Sequence, residues 1–210
     1  MKSLLALVFF CTIQISSFAE SKLDNIPPEI RPFVEEGTVI LDWKSADLNG
    51  DELDDYLVVL EKQKKNPNDP DITEKERPLL IIIRQKDNTL KLTKRNDLAV
   101  ACSTCGGRVG DDGFTEISAT KGKFSIKNHS MGTAYQNSHT FNFSYSKRDS
   151  TWQLINVEYT QHGLYEDASD SIKNIESPPH SFGKIDISDF NPNHYRHKGE
   201  GYVMRKRAID

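Results

Sequence analysis

The residues most able to do chemistry form one short acidic stretch that leads directly into an apolar segment. Oxygen-bearing side chains alternate along it at Asp47, Asn49, Asp51 and Asp55, and the carbonyl oxygen of Leu53 falls between the last two. Calcium takes six to eight oxygen ligands, and a tight loop with acids two residues apart can surround such an ion. The spacing therefore makes these five residues candidate calcium ligands.

The same stretch allows a second interpretation and excludes a third. In an EF-hand loop the twelfth position carries a bidentate Glu, and here that position is Val58, which excludes an EF-hand. The stretch can instead be a polar hairpin loop whose Asp and Asn side chains accept hydrogen bonds from their own backbone as Asx-turns. The calcium site and the polar loop both stay open at this point.

A second candidate for chemistry is the C-x-x-C pair formed by Cys102 and Cys105. Two of the three cysteines remain if Cys11 is removed with a leader, and an even number in an oxidising compartment predicts a disulfide. Such a pair can be redox-active at a helix N-terminus, but Gly106-Gly107 follow it and start no helix. The sequence favours a structural disulfide that fixes a loop, with thiol–disulfide redox chemistry as the alternative.

Other catalytic patterns are missing from the sequence. No H-E-x-x-H or G-x-S-x-G motif occurs, and the glycines after the cysteine pair lack the Lys and the strand–helix context of a phosphate loop. The histidines fall at scattered spacings: His129, His139, His162, His180, His194 and His197. We therefore predict a non-catalytic chain.

The first residues have the pattern of an export signal. Lys2 supplies a positive start, Leu4 to Phe10 an apolar run, and Ser17-Phe18-Ala19 a small-x-small cleavage site, so residues 1–19 are a predicted signal peptide. The apolar run is too short for a membrane span. We expect a periplasmic or secreted protein with no transmembrane segment in the mature chain.

Length and charge bound the remaining chain. Removal of residues 1–19 leaves about 190 residues, enough for one domain with a core. The chain has 27 Lys and Arg against 31 Asp and Glu, whereas a nucleic-acid binder would be strongly basic. We predict a single β-rich domain over residues 20–190 and a disordered basic tail over 191–210. The alternative for the tail is a basic handle for acidic surfaces.

The elements that must position these residues are predicted to be β-strands. Thr38–Trp43 and Tyr56–Glu61 are rich in β-branched, aromatic and aliphatic residues, so they should form a hairpin with the acidic loop at its tip. Leu79–Ile83 is apolar throughout, which is typical of a central strand covered on both faces. Arg77 and Arg84 bracket that run, in the positions of residues that protect a sticky segment from aggregation.

The rest of the chain continues the same pattern, with long polar loops and little helix. Prolines 27, 28 and 32 allow only one short helical turn near the start. Further strands are predicted around Leu90–Leu92, at 114–118 with 123–127, at Phe141–Tyr145 with Trp152–Tyr159, and last at Ser181–Ile187. The predicted fold class is all-β, an antiparallel meander-like sheet assembly.

The stretch from Asp47 to Leu60 resembles the calcium loop of FG-GAP and VCBS-type repeats, D-x-N-G-D-G-x-x-D followed by an apolar strand. It departs at Glu52, where those repeats have Gly, so the turn is expected to be strained or reshaped. One such loop does not support a propeller built from many copies.

A wider set of short segments, taken together, resembles a family of small exported, uncharacterised bacterial proteins. These segments, over about residues 36–190, are Val39–Asp42, Asp47–Asp51, Asp55–Glu61, Arg77–Ile81, Asn96-Asp97, Cys102–Gly107, Gly110-Asp111 and Phe124–Ile126. The resemblance implies a secreted or periplasmic β-domain and transfers no catalytic residue.

These observations give one functional hypothesis and one alternative. The hypothesis is an exported non-catalytic β-domain, with Ca²⁺ as its one candidate cofactor and a binding or envelope-related role. Its partner would be a protein or an envelope component, not nucleic acid. The alternative is a periplasmic thiol–disulfide redox protein that uses Cys102 and Cys105.

Overall fold

The computed structural model describes residues 25–63, 76–107, 111–133, 135–164, 172–198 and 201–204. The predicted signal peptide, residues 1–19, lies outside this part of the chain. The fold is all-β, as the sequence predicts, with two antiparallel sheets of four and five strands. Within the described ranges, no helix combines the length and the apolar character that a membrane span needs.

The strands follow one another along the chain. The first sheet contains β1 (Thr38–Ala46), β2 (Asp55–Lys62), β3 (Leu79–Arg84) and β4 (Leu90–Asn96). The second contains β5 (Phe114–Thr120), β6 (Lys123–Met131), β7 (Tyr135–Ser146), β8 (Thr151–Gly163) and β9 (Ile172–Glu176). Short 3₁₀ helices lie at Pro28–Phe33 and Pro192–His194, and a small hairpin at the end pairs β10 (Tyr195–Lys198) with β11 (Gly201–Met204).

Each large sheet is a meander in which every strand pairs with its neighbour in sequence. The predicted antiparallel meander is therefore confirmed, although it is divided into two sheets. In the first hairpin Ala46 lies opposite Asp55, which places the acidic loop at the tip that joins β1 to β2. Both ends of that loop are thus held by paired backbone.

The two central strands of the first sheet, β2 and β3, are buried on both faces, and β3 shows why. Leu79, Ile81 and Ile83 belong to the large core that the two sheets share. Leu80 and Ile82 point the other way, into a smaller cluster with residues of the N-terminal 3₁₀ helix. Burying each such side chain contributes roughly 1.5–3 kcal/mol. The prediction that this strand is covered on both faces is confirmed.

The last predicted strand, Ser181–Ile187, is not a strand. It makes one isolated bridge, between Asp186 and Gln153, and Ile187 N donates to Trp152 O at 2.9 Å. Phe182, Ile185 and Ile187 are buried against the large core, so their alternation reflects packing of a loop rather than strand pairing.

The strand that does complete the second sheet, β9, was not predicted. In this strand the apolar residue Ile175 is 61% exposed, whereas the charged residue Glu176 is only 6% exposed, which is the reverse of the usual pattern. Further on, the structure places a 3₁₀ helix and the β10–β11 hairpin within the stretch predicted to be a disordered tail.

Arg77, just before β3, is a buried charged side chain. It is 1% exposed, and its guanidinium is paired on two sides, by Glu61 of β2 and by Asp112 just before β5. Nε donates to Glu61 at 2.9 Å, Nη2 to Asp112 at 2.6 Å, and Nη1 to the carbonyl oxygen of Ala101 at 3.0 Å. Arg77 is therefore a buried, paired group of the fold, a structural role that its position beside the apolar run did not reveal.

Replacing Arg77 should be costly. Arg77→Met leaves Glu61 and Asp112 without their shared cation, and breaking a buried ion pair costs about 3–5 kcal/mol. Denaturant unfolding of the two proteins measures the difference. Lys62→Met is the control, because the Lys62–Glu76 pair is about half exposed on both sides and such pairs contribute at most about 1 kcal/mol. Equal losses in the two variants would contradict the structural role of Arg77.

Candidate functional site

The acidic loop is organised by the carboxylate of Asp47. One of its oxygens accepts hydrogen bonds from the backbone nitrogens of Gly50 at 2.6 Å and Asp51 at 3.0 Å, and the other accepts from Glu52 N at 3.0 Å. Partial burial raises the pKa of Asp47, but these donors and the ammonium group of Lys121 outweigh it and hold the pKa below its usual value. Asp47 is thus ionised and binds its own backbone.

Asn49 and Asp51, the next two candidate ligands, also accept hydrogen bonds from the backbone of the loop. Asn49 Oδ1 accepts from Asp51 N at 2.9 Å, and Asp51 Oδ1 accepts from Leu53 N at 3.0 Å. Glu52 has φ of 73°, a left-handed conformation that favours glycine. The expectation of a strained turn at this departure from the repeat pattern is therefore confirmed.

Asp55 lies inside the protein rather than in the loop. Its side chain is fully buried, and its two oxygens accept from Leu48 N at 2.8 Å and Arg84 N at 2.9 Å. Burial raises the pKa of Asp55 to about 6, and the charges of Asp51 and Asp47 push in the same direction. Asp55 therefore ties the start of the acidic loop to the end of β3.

Four of the five predicted calcium ligands, all except Leu53, direct side-chain oxygens at backbone donors, as in the Asx-turn alternative. Among the described residues, no group of three or more His, Cys, Asp or Glu side chains is arranged to hold a metal ion. An ion would have to compete with those donors. Calcium binding stays a prediction.

Removing the Asp55 carboxylate should destabilise the fold. Asp55→Ala leaves two backbone N–H groups without their acceptor, and each unsatisfied buried donor costs about 1–3 kcal/mol. Asp54→Ala is the control, because Asp54 is its exposed neighbour in the same loop. Denaturant unfolding should show a loss of about 2–6 kcal/mol for Asp55→Ala and a change of less than about 0.5 kcal/mol for Asp54→Ala.

The pH dependence gives an independent check of that assignment. The folded pKa of Asp55 is about 6, above its model-peptide value of 3.8, so the folded state binds this proton more tightly. The stability that it contributes is fully present below about pH 4 and is lost as pH rises through about 6. That fall should appear in the difference between the wild-type and Asp55→Ala curves. A flat difference would show that Asp55 is not buried as described.

The cysteine pair forms the disulfide that the sequence predicts, with the two Cα atoms 5.0 Å apart. Cys105 is exposed and Cys102 is half-buried. The bridge spans a sequence separation of only three residues. By the chain-entropy relation, a disulfide that closes a loop this short stabilises the folded state by about 2 kcal/mol. One that closes a loop of about 15 residues stabilises it by about 3 kcal/mol.

Backbone contacts hold the cysteine loop (residues 101–107 and 111–113 as described) from several sides. Gly113 N donates to Cys102 O at 3.2 Å, and Gly106 N to Asp111 O at 2.7 Å. Met131 N, at the end of β6, donates to Gly106 O at 2.6 Å. A side chain at Gly107, whose φ is 119°, would collide with the Met131 backbone. The Arg77 guanidinium adds its bond to Ala101 O.

A cavity of about 380 Å³ opens beside the disulfide. Both cysteines line it, together with apolar side chains such as Leu98 and Phe141 and with His129 and His139. A second cavity of about 450 Å³ shares His129 and adds His162. We call the first of these the cysteine cavity.

The register of the β6–β7 hairpin places two of the scattered histidines on opposite faces of the second sheet. His139 of β7 lies opposite Asn128 of β6, and His129 lies opposite Ser138. Because successive residues of a strand point to opposite faces, the His139 side chain shares one face with Asn128, and the His129 side chain shares the other with Ser138. The His139 ring stacks on Phe141, with centroids 5.9 Å apart and planes within 8°.

Two polar residues of the cysteine cavity are already committed to the fold. Asn128 accepts from Ala101 N and donates to Ala99 O, both at 3.3 Å. Asp97 accepts from Arg95 Nε at 2.8 Å. The remaining lining is mostly neutral, with apolar and aromatic surface beside hydrogen-bonding groups.

The fold and the site together define an all-β domain of two packed meanders with a disulfide at the mouth of a cavity. No family model matches the chain, and no curated protein or solved structure matches it either. The likeness of the acidic loop to calcium-binding repeats stays a prediction.

Proposed function

We propose that this chain is an exported, non-catalytic binding domain whose ligand occupies the cysteine cavity. The observation that carries the proposal is a concave site of about 380 Å³ on paired strands, within the range of about 300–1,000 Å³ of small-ligand sites. The acidic loop, the other candidate, uses its side chains to hold its own backbone. The cysteine cavity is therefore the better candidate for a ligand.

The lining suggests a small, uncharged ligand that carries an aromatic or aliphatic group. The half-buried His139 ring, which stacks on the buried Phe141, offers a flat surface, and Leu98 contributes an apolar rim. Asp97 contributes a carboxylate to the lining, and it forms a salt bridge with Arg95, which also pairs with Glu35. Buried charges without partners are costly, so a strongly charged ligand would not be favoured here.

Location and partner belong to the same proposal. A disulfide is consistent with an oxidising compartment, which supports a periplasmic or secreted site of action. The biological partner would be a protein or an envelope component that presents such a group.

Binding can be tested with small neutral aromatic amides, for example N-acetyltyrosinamide, added to the ¹⁵N-labelled oxidised chain. Amide shifts should change for residues 98–102 and 139–141, where the cavity lining lies. Leu98→Gln should weaken this binding severalfold, because Leu98 lines the cavity and its side chain is 54% exposed, so the fold tolerates the change.

The matched control is Leu92→Gln. Leu92 is a second exposed leucine, at 40%, and lies on β4 away from the described cavities. The Leu92→Gln variant should bind the probe with the same affinity as the wild type. Probe shifts that map elsewhere, or equal weakening in both variants, would count against the cysteine cavity as the ligand site.

The calcium prediction has its own test, a thermal melt in EDTA and in millimolar Ca²⁺. A ligand that binds only the folded state at a hundredfold excess over Kd adds about 2.7 kcal/mol, which corresponds to roughly 5–10 °C for a domain of this size. Asp51→Ala should abolish the shift and Asp54→Ala should keep it. No calcium-dependent shift in the wild type would leave residues 47–55 a polar turn.

A further inference from the structure

The Cys102–Cys105 disulfide is open to other molecules. Cys105 is exposed, and both cysteines line the cysteine cavity. Structural disulfides are protected when folding buries them, since a thiolate must reach a sulfur atom for exchange to occur. Here access to Cys105 does not require unfolding.

The loop around the disulfide also has supports of its own. Gly106 is bonded to Asp111 and to Met131 of β6, and Arg77 bridges Ala101 to Asp112. The entropy that a cross-link removes from the unfolded chain grows with the number of residues that it closes, and this one spans three positions. The fold should therefore survive loss of the bond.

We propose that Cys102–Cys105 is an exchangeable disulfide that accepts two electrons from a partner carrying two thiols. This inference goes beyond ligand binding and does not depend on what occupies the cavity. It describes a stoichiometric exchange site, since each chain is consumed once until it is reoxidised.

The chemistry balances within the pair and its partner. A partner thiolate attacks Sγ of Cys105, the more exposed residue of the pair, and forms a mixed disulfide while Cys102 leaves as a thiolate. The second partner thiolate attacks the partner's sulfur in the mixed disulfide and releases Cys105. The partner departs as a disulfide, and the two protons lost by its thiols end on Cys102 and Cys105 through water.

Thr104 is placed to assist the first step. Its hydroxyl oxygen lies 3.5 Å from Cys102 Sγ, within hydrogen-bond distance for sulfur. A hydroxyl that donates to the departing thiolate stabilises it, and a better leaving thiolate leaves faster. We assign Thr104 as a positioning residue for Cys102.

The experiment measures reduction of the oxidised full chain by dithiothreitol, stopped by alkylation and followed by mass spectrometry. The native chain should react within about tenfold of the rate in denaturant. If exchange required global unfolding, the rate would instead fall on the order of a thousandfold or more. A separate reaction with glutathione should trap the mixed disulfide on Cys105, and the reduced chain should keep a cooperative melt.

Two variants separate the roles within the loop. Thr104→Val should slow native reduction severalfold, whereas Ser103→Ala, a neighbouring hydroxyl loss, should not. Equal rates in the two variants would overturn the assignment of Thr104. Reduction at the global-unfolding rate, or glutathione found only on Cys102, would overturn the exchangeable disulfide. Either result leaves the probe binding of the oxidised chain unaffected, so the two proposals fail separately.

Discussion

A guanidinium group inside a protein must be paired, because an isolated buried charge costs far more than a domain can tolerate. Arg77, 1% exposed, meets this constraint with Glu61 from one sheet and Asp112 from the segment that enters the other. The same group donates to Ala101 O. One buried cation therefore sets the position of the cysteine loop relative to both sheets, and with it the mouth of the cavity.

The two polar regions of the molecule use their side chains in opposite ways. At the acidic loop, Asp47 within it and Asp55 at the start of β2 accept from backbone donors and hold a turn in place, which leaves little free capacity for an ion. The cysteine loop is held by backbone hydrogen bonds and by Arg77, and both cysteines line the cavity. For this reason we propose the cysteine cavity, and not the acidic loop, as the functional site.

Much of the fold could be predicted from local patterns. The unbroken apolar run of β3 indicated burial on both faces, and strong strand signals on both sides of the acidic loop indicated the first hairpin. The predictions that failed concern residues whose positions depend on contacts distant in the sequence. In β9, Ile175 is exposed and Glu176 is buried, so this strand does not show the usual alternation of buried apolar and exposed polar residues. Arg77 had the sequence context of a surface residue, and its partners Glu61 and Asp112 are distant from it in the sequence.

The cysteine loop should keep its structure without its disulfide. Amide hydrogen exchange tests this directly at Gly106, Gly113 and Met131, whose N–H groups bond across the loop. We predict that these amides stay protected, within about tenfold, when the disulfide is reduced, because their acceptors are fixed by backbone and Arg77. Loss of protection at all three on reduction would show that the disulfide itself holds the loop.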